Sequence, residues 1–382
     1  MYNATSPTEG IPLPPYTLHP VPPLLPPLSD LHLSLAVPTV IHWVLSGIFS
    51  LMEEYGYGQT YKLHTSAEEE TRNRCSRWEC FRGVVLNQII QTVLGVGLGM
   101  LGDGDMAGQE EYEIAVWARR LEAARRTLPG LLSLVGIDAE GLARNFACSR
   151  MGLAAPLVTG DEPCKPPHIA MTDGPDATHA RLVAFEMACA WGIYWHIVPA
   201  IQFAAAVFAA DTWQYFGHRW LHTNKWVYKK IHSVHHGLYV PYSFGAAFTH
   251  PLEGLFLDSI GTAIAFGVSG LSIRQGMWLY GYISLKAVTD HCGYILPYNP
   301  IRMITENDAY FHDLHHQSWG LKSHFAVHFS FWDRMMGTYW ADKSAADALY
   351  QRNRNTAERQ MNSKNMIQEK AATHVLDLEV TA

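Results

Sequence analysis

The chain has 382 residues, of which 48% are hydrophobic and 16% charged, with a formal net charge of -7. An apolar share of that size supplies a core and excludes disorder for most of the chain. The charged share lies well below the roughly 25% of soluble domains, and a mean hydropathy of -0.04 is too low for a chain embedded throughout, so membrane anchors carrying a water-exposed portion are expected.

Residues 1–30 are crowded with proline (IPLPPYTLHPVPPLLPPL), which blocks helix interiors and favours extended backbone, so they form an arm and not a domain. Residues 31–105 read as a membrane-anchoring region. Its first run, Leu31 to Met52, contains no Asp, Glu, Lys or Arg and matches the roughly 20 residues that cross a bilayer, with Pro38 and His42 inside it. A second run of similar length covers 82–102, where Asn87, Gln88 and Gln91 are expected to face another helix. Residues 106–179 hold an amphipathic helix in EEYEIAVWARRLEAARR, then a variable loop with Gly160, Pro163, Pro166 and Pro167.

Residues 180–340 form the expected catalytic domain. An apolar and aromatic run to Phe216 leads directly into a histidine motif, and 252–290 supplies apolar length for two more helices with a break at 267–270. Residues 341–382 are polar and read as a surface helix or frayed tail. Six cysteines (Cys75, Cys80, Cys148, Cys164, Cys189, Cys292) show no paired spacing, which suits reduced thiols on a cytosolic face. The N-terminus lacks the pattern of a cleavable signal peptide, so a span itself is expected to target the chain. No basic tract is long enough to follow a phosphate backbone, and nucleic acid is not an expected partner.

Three histidine boxes carry the chemistry: His218 and His222 in HRWLH, His232, His235 and His236 in HSVHH, and His312, His315 and His316 in HDLHH. Residues at i, i+3 and i+4 share a helix face, so each box can aim its imidazoles at one point. Eight nitrogens exceed the needs of one ion, and imidazole suits zinc, copper, iron and nickel, so two metals in one nest are expected. Burying so many rings without a metal would demand many hydrogen-bond partners. His250 in FTHPLEG and His291 in TDHCGY are added as ligands, with an outer role as the alternative.

Asp211 and Asp308 stand at helical spacing before the first and third boxes, either supporting the imidazoles or capping helices. His42, His64 and His196 are read as core histidines, and His324 and His328 as surface or packing residues. Trp213, Tyr215, Phe216 and Tyr242 either line an apolar substrate channel or pack the core. Lys225, Lys229 and Lys230 suit a cytoplasmic loop that meets lipid headgroups or an acidic electron donor.

Through DTWQYFGHRWLH, NKWVYKKIHSVHHGLYVPYSFGA, THPLEG, DHCGY, HDLHHQ and FWD, the chain resembles the fatty acid hydroxylase and sterol desaturase superfamily of membrane di-iron enzymes, most of all its fungal sphinganine C4-hydroxylase branch. The resemblance implies an all-α fold: polytopic membrane helices carrying a cytosol-facing, helical, histidine-rich di-metal domain. It also implies two iron ions held by the box histidines, O2, and electrons from NAD(P)H relayed by cytochrome b5 and its reductase. The implied reaction hydroxylates a long-chain sphingoid or ceramide substrate at C4 in the endoplasmic reticulum membrane, giving phytosphingosine-type bases. Two features depart from that pattern: His324 stands where asparagine is expected, and the terminal DLEVTA lacks a dilysine retrieval signal. The competing readings are a sterol C4-methyl or alkyl-lipid oxidase on the same scaffold and, from another class, a histidine-rich membrane metal transporter.

Overall fold

Helix α1 (Asp30–Glu54) begins where the Ser29 side chain accepts the His32 N–H and Asp30 meets the positive end of the helix dipole. The computed structural model describes residues 10–102, 104–138, 141 and 175–380. The expected loop around Gly160, Pro163, Pro166 and Pro167, with Cys148 and Cys164, lies outside the described residues.

Reciprocal capping boxes start the next two helices, Thr65 with Glu68 for α2 (Ser66–Arg72) and Ser76 with Glu79 for α3 (Arg77–Gly99). Antiparallel packing of α1 and α3 depends on small residues. At Gly95 and Gly99 an added Cβ would run into the ends of the Leu35 and Leu31 side chains, so the glycines make room for these leucines between the helices. Farther along the chain come α4 (Glu110–Leu134), α5 (Pro175–Gly192), α6 (Val198–Thr223), α7 (Gly261–Ser269) and α8 (Ile273–Asp290). α5 and α6 join through a π turn at Ile193–Ile197, and a second π turn, Gly254–Ile260, leads into α7.

Four helical stretches are long and apolar enough to cross a membrane: Asp30–Glu54, Arg77–Gly99, His179–Thr223 and Pro251–Ser269. Val40, Val44 and Ile48 on α1 and Leu86, Ile89 and Val93 on α3 point outward although apolar, as lipid-facing side chains do. The chain is a multi-pass, mainly helical membrane protein, as its composition implies. Pro38 is accommodated inside α1, and the Ser284 hydroxyl of α8 donates to its carbonyl at 2.7 Å.

The chain divides into two compact units, 1–22 with 104–201, and 23–103 with 202–382. In the first, α4 buries Ile114, Ala115 and Ala118 against Ile11 and Ala190, and Arg125 pairs with Glu186 at 3.0 Å. Its two-residue strands β1 (His19–Pro20) and β2 (Met106–Ala107) make the only sheet among the described residues. The second unit carries every histidine box, on α6, on the turns after it, and on α9 (Ala309–His316). Short α10 (Phe331–Met335) places the fully buried Asp333, whose carboxylate accepts the Phe325 and Ala326 N–H groups. The final helix α11 (Lys343–Val380) is more than a polar tail: Ala346 and Ala357 are buried, and Tyr350 donates to Asp313 at 2.6 Å.

Candidate metal centre

His218 and His222 lie one turn apart on α6, so both rings leave the same face. A π turn, Tyr228–His232, then sets His232, and a 3-10 turn, His235–Gly237, sets the adjacent pair His235 and His236. The third box rides on α9, which Asp308 caps by accepting the Phe311 N–H at 3.1 Å. His291 follows directly at the C-terminus of α8.

The nitrogens gather into two groups, each with ligand atoms within 4.8 Å of one another: His218, His222, His232, His236 and His315, and His235, His291, His312 and His316. The boxes therefore do not each converge on one point. In both HxxHH boxes the i and i+4 histidines join one group and the i+3 histidine joins the other. Residues adjacent on a helix project about 100° apart, so a single box feeds two centres.

Five rings commit Nδ1–H to a backbone carbonyl, which can only accept, and a sixth meets a carboxyl group. His218 donates to Phe325 O at 3.0 Å, His235 to Phe248 O at 3.0 Å, His291 to Ala287 O at 2.8 Å, His315 to Ser323 O at 2.7 Å and His316 to Leu238 O at 2.8 Å. His232 donates to the Glu253 carboxyl group at 2.8 Å. In a neutral imidazole the other nitrogen then carries a lone pair. His218 Nε2 and His232 Nε2 face each other at 3.1 Å with no proton between them, and the buried His315 Nε2 has no hydrogen-bond partner. Opposed lone pairs repel unless a cation lies among them, so the donor set fits a metal.

Electrostatics keep the donors ready. Burial first, and the surrounding imidazoles second, push His232, His236, His312, His315 and His316 well below the ordinary histidine range. Burial takes His235 down to about 4, and burial with His235 as neighbour takes His291 to about 3. All are neutral at pH 7, the state that binds metal.

Nine of the ten expected histidine ligands enter the two groups, and His250 does not. Its Nδ1 accepts the Leu252 N–H at 3.2 Å, which caps the turn that opens the Pro251–Ser269 helix. Neither expected supporting aspartate reaches an imidazole. Asp211 accepts the N–H groups of Val327 and His328 at 3.1 and 2.7 Å, and it precedes His218 by two helical turns, about 10 Å, too far for a carboxylate. Asp308 sits at the N-cap of α9, where the backbone is not yet helical, and pairs with Arg302 at 3.1 Å. The carboxylate that does support a ligand is Glu253, which no helical spacing links to His232 across 21 residues.

His64, read as an ordinary core histidine, is buried between two carboxylates, Glu68 at 3.0 Å and Asp313 at 2.9 Å. Burial opposes its charge, but Asp313 and Glu68 outweigh that and raise it to about 9. His324 occupies the left-handed region at φ 57, which asparagine adopts readily, and here the ring compensates. It stacks on Phe311 at 3.7 Å, donates to Phe311 O and accepts the Trp340 N–H. The aromatics Trp213 and Tyr215 hydrogen-bond to Phe256 O and Thr338, and Phe216 packs on Trp332, so they serve packing.

The fatty acid hydroxylase family model matches residues 203–338, which contain both histidine groups. The chain is 35% identical over 326 residues to the sphingolipid C4-hydroxylase of Saccharomyces cerevisiae, covering 85% of this chain and 76% of that one. It is 32% identical to sphinganine C4-monooxygenase 1 of Arabidopsis thaliana, over 82% of this chain and 88% of the other. A third relative, the very-long-chain aldehyde decarbonylase GL1-9 of Oryza sativa subsp. indica, is 31% identical over 82% of this chain and 90% of its own. No solved structure matches the chain. Together with relatives that match over most of their lengths, the family model places this chain in the fatty acid hydroxylase family.

Proposed function

We propose that the protein is an O2-dependent sphingolipid C4-monooxygenase, hydroxylating sphinganine or dihydroceramide to phytosphingosine-type products. The observation that carries this reading is the pair of neutral imidazole groups with opposed lone pairs, in a chain whose similar proteins include sphingolipid C4-hydroxylases. The two groups would hold one iron ion each, five nitrogens on one side and four on the other. When bound, the iron pair supplies O2 activation, which an unactivated methylene requires because it offers neither an acidic proton nor a carbonyl to polarise.

The chain's own residues prepare that chemistry. Backbone carbonyls and Glu253 orient six of the nine rings through Nδ1. Phe325 walls the five-histidine group, packing on His218, His222 and His315, and helps exclude water. The exposed Lys225, Lys229 and Lys230 support a cytosolic orientation of the site in the endoplasmic reticulum membrane, with cytochrome b5 and its reductase delivering electrons from NAD(P)H. A metal transporter is disfavoured, because transport needs ligands that can let go and six of the nine rings are held at Nδ1 by a carbonyl or carboxyl oxygen.

The test is incubation of detergent-purified, iron-loaded protein with sphinganine, cytochrome b5, its reductase and NAD(P)H under isotopically labelled O2. One labelled oxygen at C4, absent with His235→Ala, is the expected result. No product from sphinganine or dihydroceramide would overturn the reading and favour a sterol or alkyl-lipid substrate.

A further inference from the structure

A half-open cavity of about 480 Å3 is lined by α1, α3, α8 and the Pro251–Ser269 helix. Its ends differ in chemistry: His42, Gln88, Gln91 and Asp258 stand at one, Leu31 and Leu98 at the other. Leu31 and His42 are separated on α1 by a rise of about 16 Å. Antiparallel α3 preserves the order, with Gln88 hydrogen-bonded to Trp43 at 2.8 Å and Gly99 against Leu31.

The polar end adjoins the histidine groups. Ala287 lines the cavity, and its carbonyl accepts from His291 Nδ1. Ala247 lines it too and precedes Phe248, whose carbonyl accepts from His235 Nδ1.

Two groups at that end lack a counterpart. Asp258 receives only amide N–H groups, from Gln91 at 3.3 Å and Gln214 at 3.2 Å, and no basic side chain among the described residues pairs with it. A carboxylate in a membrane-spanning segment is expensive without a cation, so its missing partner is positively charged. His42 is 4% exposed, and its Nε2 has no hydrogen-bond partner. An amphiphile with a cationic, hydroxyl-bearing head and a long tail satisfies both groups and fills the apolar end.

We propose that Asp258 binds the ammonium group of a free long-chain amino alcohol in this cavity, with His42 meeting a head-group hydroxyl and the tail running towards Leu31 and Leu98. The inference rests on the sphingoid reading above and deepens it: the substrate is the free base, not its N-acyl derivative, whose amide carries no charge. The head then lies beside the segments that carry His235 and His291, and carbons a few bonds from the amine are the ones presented to the metal centre.

The test is equilibrium binding to the full-length protein in detergent without an electron donor, so that no turnover occurs, using radiolabelled sphinganine. Octadecylamine should compete at least about tenfold better than octadecanol, the scale of one charge-assisted hydrogen bond. Asp258→Asn should weaken sphinganine by a similar factor and leave N-acetylsphinganine unchanged, which also reports that the variant is folded. Equal competition by amine and alcohol in the unmodified protein would overturn the proposal, and so would equal weakening of sphinganine and N-acetylsphinganine. If the amine binds through Asp258 yet no C4 product forms in the turnover assay, the reaction reading fails and the cavity assignment stands.

Discussion

Replacing Glu253 tests whether a carboxylate outside the histidine boxes governs the metal centre. Its Oε1 meets His232 Nδ1 at 2.8 Å, the one ligand contact made to a carboxyl side chain and not to a backbone carbonyl. A buried hydrogen bond contributes about 0.5–1.5 kcal/mol, and removing one partner leaves the other unsatisfied at a cost of about 1–3 kcal/mol. Glu253→Ala removes the acceptor and frees His232 to rotate or change tautomer, which should weaken iron binding about tenfold to a hundredfold. Glu253→Gln keeps an oxygen acceptor but puts an amide N–H2 in place of the buried, partnerless Oε2, so a roughly fivefold loss is expected. The assay is iron retention against a graded chelator, read by metal analysis alongside C4-hydroxylase activity. Retention and kcat in Glu253→Ala within twofold of the unmodified protein would refute the argument that this carboxylate holds His232 in place.

His250→Ala should keep full iron content, because His250 caps a turn outside both groups, and should cost about 1 kcal/mol of stability; a drop in iron stoichiometry would restore it as a ligand. Asp211→Asn should lower thermal stability through the Val327 and His328 N–H groups while leaving iron affinity intact in the folded protein, as measured by metal analysis below the melting range. The raised His64 makes stability depend on pH: its contribution is complete below the unfolded value of 6.5 and is lost as pH rises through about 9. Up to about 3 kcal/mol is at stake. Tm should therefore fall more between pH 6.5 and 9.5 in the unmodified protein than in His64→Gln, and identical slopes would contradict the His64–Asp313–Glu68 network.

Much of the fold was legible because its signals are local. Charge-free runs of membrane-crossing length announce α1, and Ser76 with Glu79 three residues on announces the start of α3. The histidine boxes were legible for the same reason, since i, i+4 spacing puts His218 beside His222 and His312 beside His316 on one helix face. The supporting contacts were not. Asp211 and Asp308 carried the right spacing but held backbone N–H groups, whereas Glu253 and the backbone carbonyls reached the rings from distant segments.

By itself, the order of residues determined that this chain has helices fit to cross a membrane and that its histidines stand in boxes whose number suits two metals. Tertiary structure alone decided how the rings are shared out, sending His236 to one group and its neighbour His235 to the other, and His315 away from His312 and His316. It also decided that Asp258 and His42, far apart in sequence, line one cavity. The physical reason is directional: spacing says which side chains leave one face of a helix, but an imidazole lone pair or a carboxylate acts only on what the folded chain brings to about 3 Å of it.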